Sequence, residues 1–159
     1  MAIIQAFRLT ERASIFATQI CILVVVAFTH TMNATLQLTD YLELTDTFPC
    51  LRPVGEASLE EAIDLVDEAI RYCRDNEVRG LLVDVRGLTG FPAPSVTDRF
   101  WLASKWAETS NGRVVVAMIQ RPEMTMPDKI GVTFAINRGL VIDVFSEEDD
   151  AMLWLQTAV

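Results

Sequence analysis

The clearest periodicity in the chain lies between Leu59 and Cys73. Leu59, Ala62, Ile63, Val66, Ala69, Ile70 and Cys73 recur at helical spacing as one apolar stripe, and Glu60, Asp64, Asp67 and Glu68 fall on the opposite face. Ser58 and Glu61 fit a capping box, so a helix is predicted to begin there. Upstream, Leu36, Leu38, Tyr41, Leu42 and Leu44 alternate with polar residues and predict one or two short strands. Leu51 and Val54, punctuated by Pro49, Pro53 and Gly55, fit an edge strand.

Downstream, apolar runs rich in β-branched residues at 81–85 and 114–119 read as central strands buried on both faces, and 140–145 reads as a third strand. Helices are predicted between and after them. One runs from Ser95 to about Thr109 and is closed by Asn111-Gly112. Another is capped by Asp128 and runs to Asn137, with Gly139 as a left-handed exit. The last is capped by Ser146 and runs to about Gln156, with Glu147, Glu148, Asp149 and Asp150 at its positive end. Strand–helix alternation at this spacing predicts an α/β fold with a mostly parallel central sheet, right-handed crossovers and helices packed on it.

One stretch stands apart from this pattern. Residues 15–28, IFATQICILVVVAF, carry no charge and only Thr18 and Gln19 as polar breaks. The run is shorter than the roughly 20 residues a membrane-spanning helix needs. It fits a signal-peptide core, although Met32-Asn33-Ala34 is a poor cleavage site, and its centre equally fits a buried strand. Residues 1–31 are therefore read as a hydrophobic N-terminal segment: a strand, a signal or anchor, or an extension ahead of an alternative start at Met32. Residues 32–159 form the compact domain.

Composition sharpens that division. The chain has 159 residues, 51% of them hydrophobic, with a net charge of −9 and a mean hydropathy of +0.29. Residues 1–31 hold two arginines and one glutamate, so the acidity belongs wholly to the remainder. Carboxylates in such excess, with no clustered basic groups, argue against a nucleic-acid partner. Half the chain being apolar excludes intrinsic disorder. A cytoplasmic location is expected, with membrane association through residues 13–30 as the alternative.

Candidate chemistry is sparse. His30 is the one histidine, and Cys21, Cys50 and Cys73 have no Cys-x-x-Cys spacing, so no catalytic triad, metal site or cofactor is expected. No phosphate-binding glycine motif occurs. What stands out is the loop 86–95, RGLTGFPAPS, which leaves a central strand and feeds a helix, the place where open α/β sheets bind ligands. Asp84 lies at the same strand end. Ser95 or Thr97 would present a hydroxyl beside free backbone N–H groups, and Ser95 with Asp98 also fits a capping box. Asp84, Arg86, Phe91, Arg99, Trp101 and Lys105 are the candidate interaction residues, Ser95 and Thr97 the candidate regulatory ones.

The segments LLVDVRGLTGFPAPSVTDRFWLA, VAMI, RPEMTMPDKIGVTFAINRG and VFSEEDDAMLWL together resemble the SpoIIAA-like branch of the STAS (sulfate transporter and anti-sigma factor antagonist) superfamily over about residues 34–159. The resemblance implies a non-enzymatic regulatory module that binds an anti-sigma, kinase-like protein partner, and it leaves a homodimer open. Ser95 takes the place of the family's phosphoserine, with Pro92-Ala93-Pro94-Ser95 standing where the Asp-Ser-Ser-Gly signature would be. Relatives similar in fold to CRAL-TRIO domains imply the alternative, a small apolar ligand or lipid held around Phe91, Phe100, Trp101, Met118 and Phe134.

Overall fold

The computed structural model describes residues 36–159. Expectations about residues 1–31, His30 and Cys21 lie outside the described residues.

The described chain runs α1 (Leu38–Tyr41), β1 (Leu42–Glu43), β2 (Cys50–Leu51), β3 (Gly55–Glu56), α2 (Leu59–Asp75), β4 (Gly80–Asp84), β5 (Leu88–Thr89), α3 (Val96–Ser110), β6 (Val115–Ile119), α4 (Ile130–Ile136), β7 (Val141–Phe145) and α5 (Glu148–Ala158). It is an α/β fold with a mixed five-stranded sheet in the order β1-β2-β4-β6-β7. β2, β4, β6 and β7 are parallel, and β1 is antiparallel at one edge. β3 and β5 form a separate two-residue parallel ladder.

Each crossover from β2 to β7 steps one strand in the same direction. Right-handed connections of that kind place their helices on one face of the sheet, and α2, α3 and α4 do share a face. Leu81, Val83, Val116, Met118 and Ile142 meet them there. After β7 the chain has no further strand to cross to, and α5 covers the opposite face over Cys50, Leu82, Val115, Ala117 and Ile119. Alternation along β4 and β6 thus feeds two cores, which is why both strands read as continuous apolar runs.

The two capping boxes form as the sequence predicts, Ser58 with Glu61 and Ser95 with Asp98. Four local expectations are corrected. Leu38 starts a short helix rather than a strand, and only Leu42–Glu43 pairs in this region. Val54 is exposed beyond β2, and β2 lies inside the sheet because β1 covers its edge. The cap of α4 is Lys129, in the left-handed region at φ 47°, because Asp128 turns its carboxylate onto the Ile130 N–H two residues on. The cap of α5 is Glu147 in extended conformation, and Ser146 instead offers its carbonyl to Arg86 at 3.2 Å.

Asp67 also departs from its predicted solvent face. It is buried, and it accepts a hydrogen bond from Thr109 Oγ1 of α3 at 2.5 Å and another from Arg71 Nη2 at 2.7 Å. A buried carboxylate with two donors ties α2 to α3 and stays satisfied. Cys50 and Cys73 are free and buried, as the stripe pattern suggests for Cys73. Burial pushes their thiols up to about 11 and about 12, so neither is reactive at neutral pH.

Candidate functional site

The face covered by α2, α3 and α4 is not filled. α2 has 17 residues and α3 has 15, but α4 has only seven, after a loop held by Pro122 and Pro127. Between them lies an apolar cavity of about 100 Å³. Ile63 and Val66 of α2, Leu102 and Trp106 of α3, and Ala135 of α4 wall it. Met118, Ile142 and Val144 form its floor on the sheet. Leu88, Phe91 and Pro94 close one side from the strand-end loop, and Met124, Met126 and Ile130 close the other.

A few polar groups line the same cavity: Gln120, Arg99, Arg121 and Lys129. Gln120 Nε2 donates to Thr125 Oγ1 at 2.8 Å. Lys129 donates to Asp143 at 2.7 Å and to the Val144 carbonyl at 3.2 Å. Val144 N–H in turn donates to Asp143 Oδ1, so the outer edge of β7 is occupied by side chains at this point, which blunts strand pairing. Arg121 Nη2 donates to the Leu88 carbonyl and its Nε lies 3.7 Å from exposed Glu123. Arg99 is buried, 8% exposed, and donates through Nε to the Pro94 carbonyl at 3.1 Å and through Nη2 to the Met124 carbonyl at 2.6 Å. Burial holds its guanidinium below the usual arginine value, against the opposing pull of Asp128 and Asp98.

Asp84 and Arg86 serve a different purpose. Asp84 is buried at the end of β4 and receives Arg86 N–H, Nε and Nη2 at 3.1, 2.9 and 2.8 Å, and Arg52 Nη1 at 3.3 Å. Arg52 also grips Glu148 with both Nη groups, at 3.0 and 2.5 Å. The result is a four-residue network that joins the ends of β2 and β4 to the first turn of α5. Burial pushes Asp84 up, but the hydrogen bonds and charge of Arg86, with Arg52 behind, leave it below its ordinary value; Arg52 does the same to Glu148.

Both carboxyls therefore bind protons more weakly folded than unfolded, so their contribution is complete above about pH 5 and is lost progressively as pH falls from there through the lowered folded values. Denaturant unfolding measured across pH is expected to show stability falling below about pH 5. An Arg52→Leu variant is expected to show a shallower acid slope; an identical slope would remove the network from the acid response.

Trp101 and Lys105 lie elsewhere again, on the outer face of α3. Trp101 is 50% exposed, and Lys105 Nζ sits 5.5 Å from its ring centre while pairing with Asp64. Phe100 is 47% exposed, stacks edge-on against Phe134 of α4 and lies under the Arg138 guanidinium at 4.1 Å. Ser95 and Thr97 are exposed at the start of the same helix. Ser95 Oγ accepts from Asp98 N–H at 3.2 Å and donates to Asp98 Oδ2 at 2.7 Å.

The six predicted interaction residues are thus distributed over three places: Phe91 and Arg99 at the cavity, Asp84 and Arg86 in the strand-end network, Trp101 and Lys105 on the outer face of α3. Of the five residues expected around an apolar pocket, Phe91 and Met118 line it, and Phe100, Trp101 and Phe134 do not. Sequence reasoning missed Gln120, Met124 and Met126 at the cavity, although the Met-rich loop after β6 is a usable signal. It also missed Arg52 and Glu148, which meet across 96 positions with no local pattern to announce them. Among the described residues no helix is long and apolar enough to cross a membrane. No family model, curated protein or solved structure matches the chain.

Proposed function

We propose that the domain is a non-enzymatic binding module that holds a small apolar molecule in the cavity between the sheet and helices α2, α3 and α4. The observation that supports this reading is the cavity itself, apolar on nearly every side and carrying a few polar groups among its lining, as small-molecule sites do. Its place also supports it, because the strand-end loop 86–95 supplies Leu88, Phe91 and Pro94. A volume of about 100 Å³ suits a compact body, smaller than the engineered cavities of about 150 Å³ that take benzene. Thermal unfolding against a panel of small apolar compounds tests the reading. Some should raise the melting temperature of the wild type and not of Ala62→Met, which adds bulk at the wall. Equal responses, or none, would count against it.

The outer face of α3 favours a second reading, docking of a protein partner such as the kinase-like anti-sigma protein the family resemblance implies, or of a second copy of the chain. Exposed Phe100 and Trp101 beside Arg138 and Lys105 supply the aromatic and cationic anchors typical of interfaces. In this reading Ser95 is the switch. A phosphate there would remove the hydrogen bond that Ser95 Oγ donates to Asp98 and set two anions together, disturbing the first turn of the helix that carries Trp101. Ser95→Ala should lower stability by about 1 kcal/mol through loss of the cap, whereas Ser95→Asp retains a capping oxygen and should cost less. Denaturant melts of both variants check this; an Asp variant as weak as the Ala variant would mean that charge beside Asp98 dominates the cap.

A further inference from the structure

The cavity reading can be taken further through Arg99. Among the described residues it is the one buried cation. Seven others, Arg52, Arg71, Arg74, Arg86, Arg121, Lys105 and Lys129, are less buried, and each lies within 4.0 Å of a carboxylate. Arg79, Arg113 and Arg138 are exposed to water. Arg99 alone is buried with no carboxylate in ion-pair contact among the described residues, and Asp128 and Asp98 act on it only from beyond 4.0 Å. Its two hydrogen bonds go to the neutral carbonyls of Pro94 and Met124. The nearest acids are engaged with their own backbone: Asp98 in the capping box of Ser95, and Asp128 on the Ile130 N–H.

A largely desolvated charge held by neutral carbonyls, with its carboxylates at a distance, is costly, and a contacting anion would offset that cost. The guanidinium has five donors in a fork matched to a carboxylate, and the bonds above use Nε and Nη2. No fully buried side-chain nitrogen among the described residues lacks a partner, so Nη1, which makes neither of these bonds, is not fully buried. Arg99 lines the cavity, and its stem lies against Gly131 of α4, with contacts near 3.6 Å to the position of a Cβ there. An apolar body and a cation are therefore presented to one ligand.

We infer that the cavity takes a small carboxylate, a short or branched aliphatic acid whose chain fills the apolar space and whose carboxylate pairs with Arg99. The inference rests on the ligand-cavity reading above and narrows it to a charge class and a size. A volume of about 100 Å³ matches a short chain better than a long one, and the guanidinium discriminates against neutral molecules of the same shape.

Isothermal titration of the full chain with isovalerate and with its neutral amide, isovaleramide, tests it. Isovalerate is expected to bind at least about tenfold more tightly, a ratio that one charge-assisted hydrogen bond sustains. In Arg99→Gln the two should bind within about twofold of each other. If that variant does not fold, the acid-to-amide ratio on the wild type still decides the matter. Equal affinity on the wild type would overturn the carboxylate while leaving an apolar ligand site standing. No binding of either compound would overturn both. Laurate binding more than about tenfold tighter than isovalerate would overturn the size limit.

Discussion

Replacing Trp106 with alanine is expected to remove about 3–5 kcal/mol of stability, the range found for deleting a buried indole. Trp106 is 4% exposed and forms the joint between α3, α2 and the sheet. Its Nε1 donates to the Ile63 carbonyl at 3.1 Å, a bond that satisfies the indole inside an otherwise apolar wall. The side chain also borders the cavity, so truncation would merge a new void with an existing one instead of letting the neighbours collapse. Trp101, five residues away, is half exposed, and its replacement by alanine should cost no more than about 1 kcal/mol. Denaturant unfolding of the two variants checks the contrast, with the midpoint falling steeply for Trp106→Ala and little for Trp101→Ala. Similar losses in both would mean that α3 does not pack with this face inward.

Gly90→Ala is the second large effect, and it acts through the backbone. Gly90 has φ 98°, outside the left-handed helical region that other residues visit, and a Cβ there would lie 2.6 Å from the Ala57 carbonyl oxygen. Ala57 follows β3 and its N–H donates to the Thr89 carbonyl, so the clash falls on the small ladder that sets the strand-end loop. A cost of about 2–4 kcal/mol is expected from strain and displacement together. Gly112 supplies the comparison. At φ 68° it is near the left-handed helical region, and the nearest atom to a Cβ would be 3.8 Å away, so Gly112→Ala should cost about 1 kcal/mol. Equal costs, read from the same unfolding curves, would show that the β3–β5 ladder yields easily.

The sequence carries the fold better than the site. The two buried strands β4 and β6, the edge strand β7 and the two capped helices are legible because each rests on a local rule: apolar runs rich in β-branched residues that follow a glycine, or a serine three residues before an acid. The caps of α4 and α5 are not: Asp128 bonds the N–H of Ile130, the first residue of α4, from one position before the cap residue Lys129, and α5 starts from Glu147 with no side-chain cap. α3 explains why Phe100 and Trp101, expected at the cavity, lie outside it. It buries Arg99, Ala103, Trp106, Ala107 and Ser110 and turns Phe100 and Trp101 outward, so size and hydropathy point away from its inner face. A buried arginine on that face inverts the usual reading of charge as surface. Asp67 repeats the lesson on α2, where a partner on the next helix draws a carboxylate inward.

Methionine methyl resonances offer the most direct view of the cavity. Met118, Met124 and Met126 line it, whereas Met152 packs in the core on the opposite face of the sheet. With the methionine methyls labelled with carbon-13, titration with isovalerate should shift the three cavity signals along saturable curves sharing one dissociation constant. Met152 should stay fixed. Cavity methyls that do not move, or a Met152 signal that moves as far as they do, would contradict a ligand site between the sheet and its three helices.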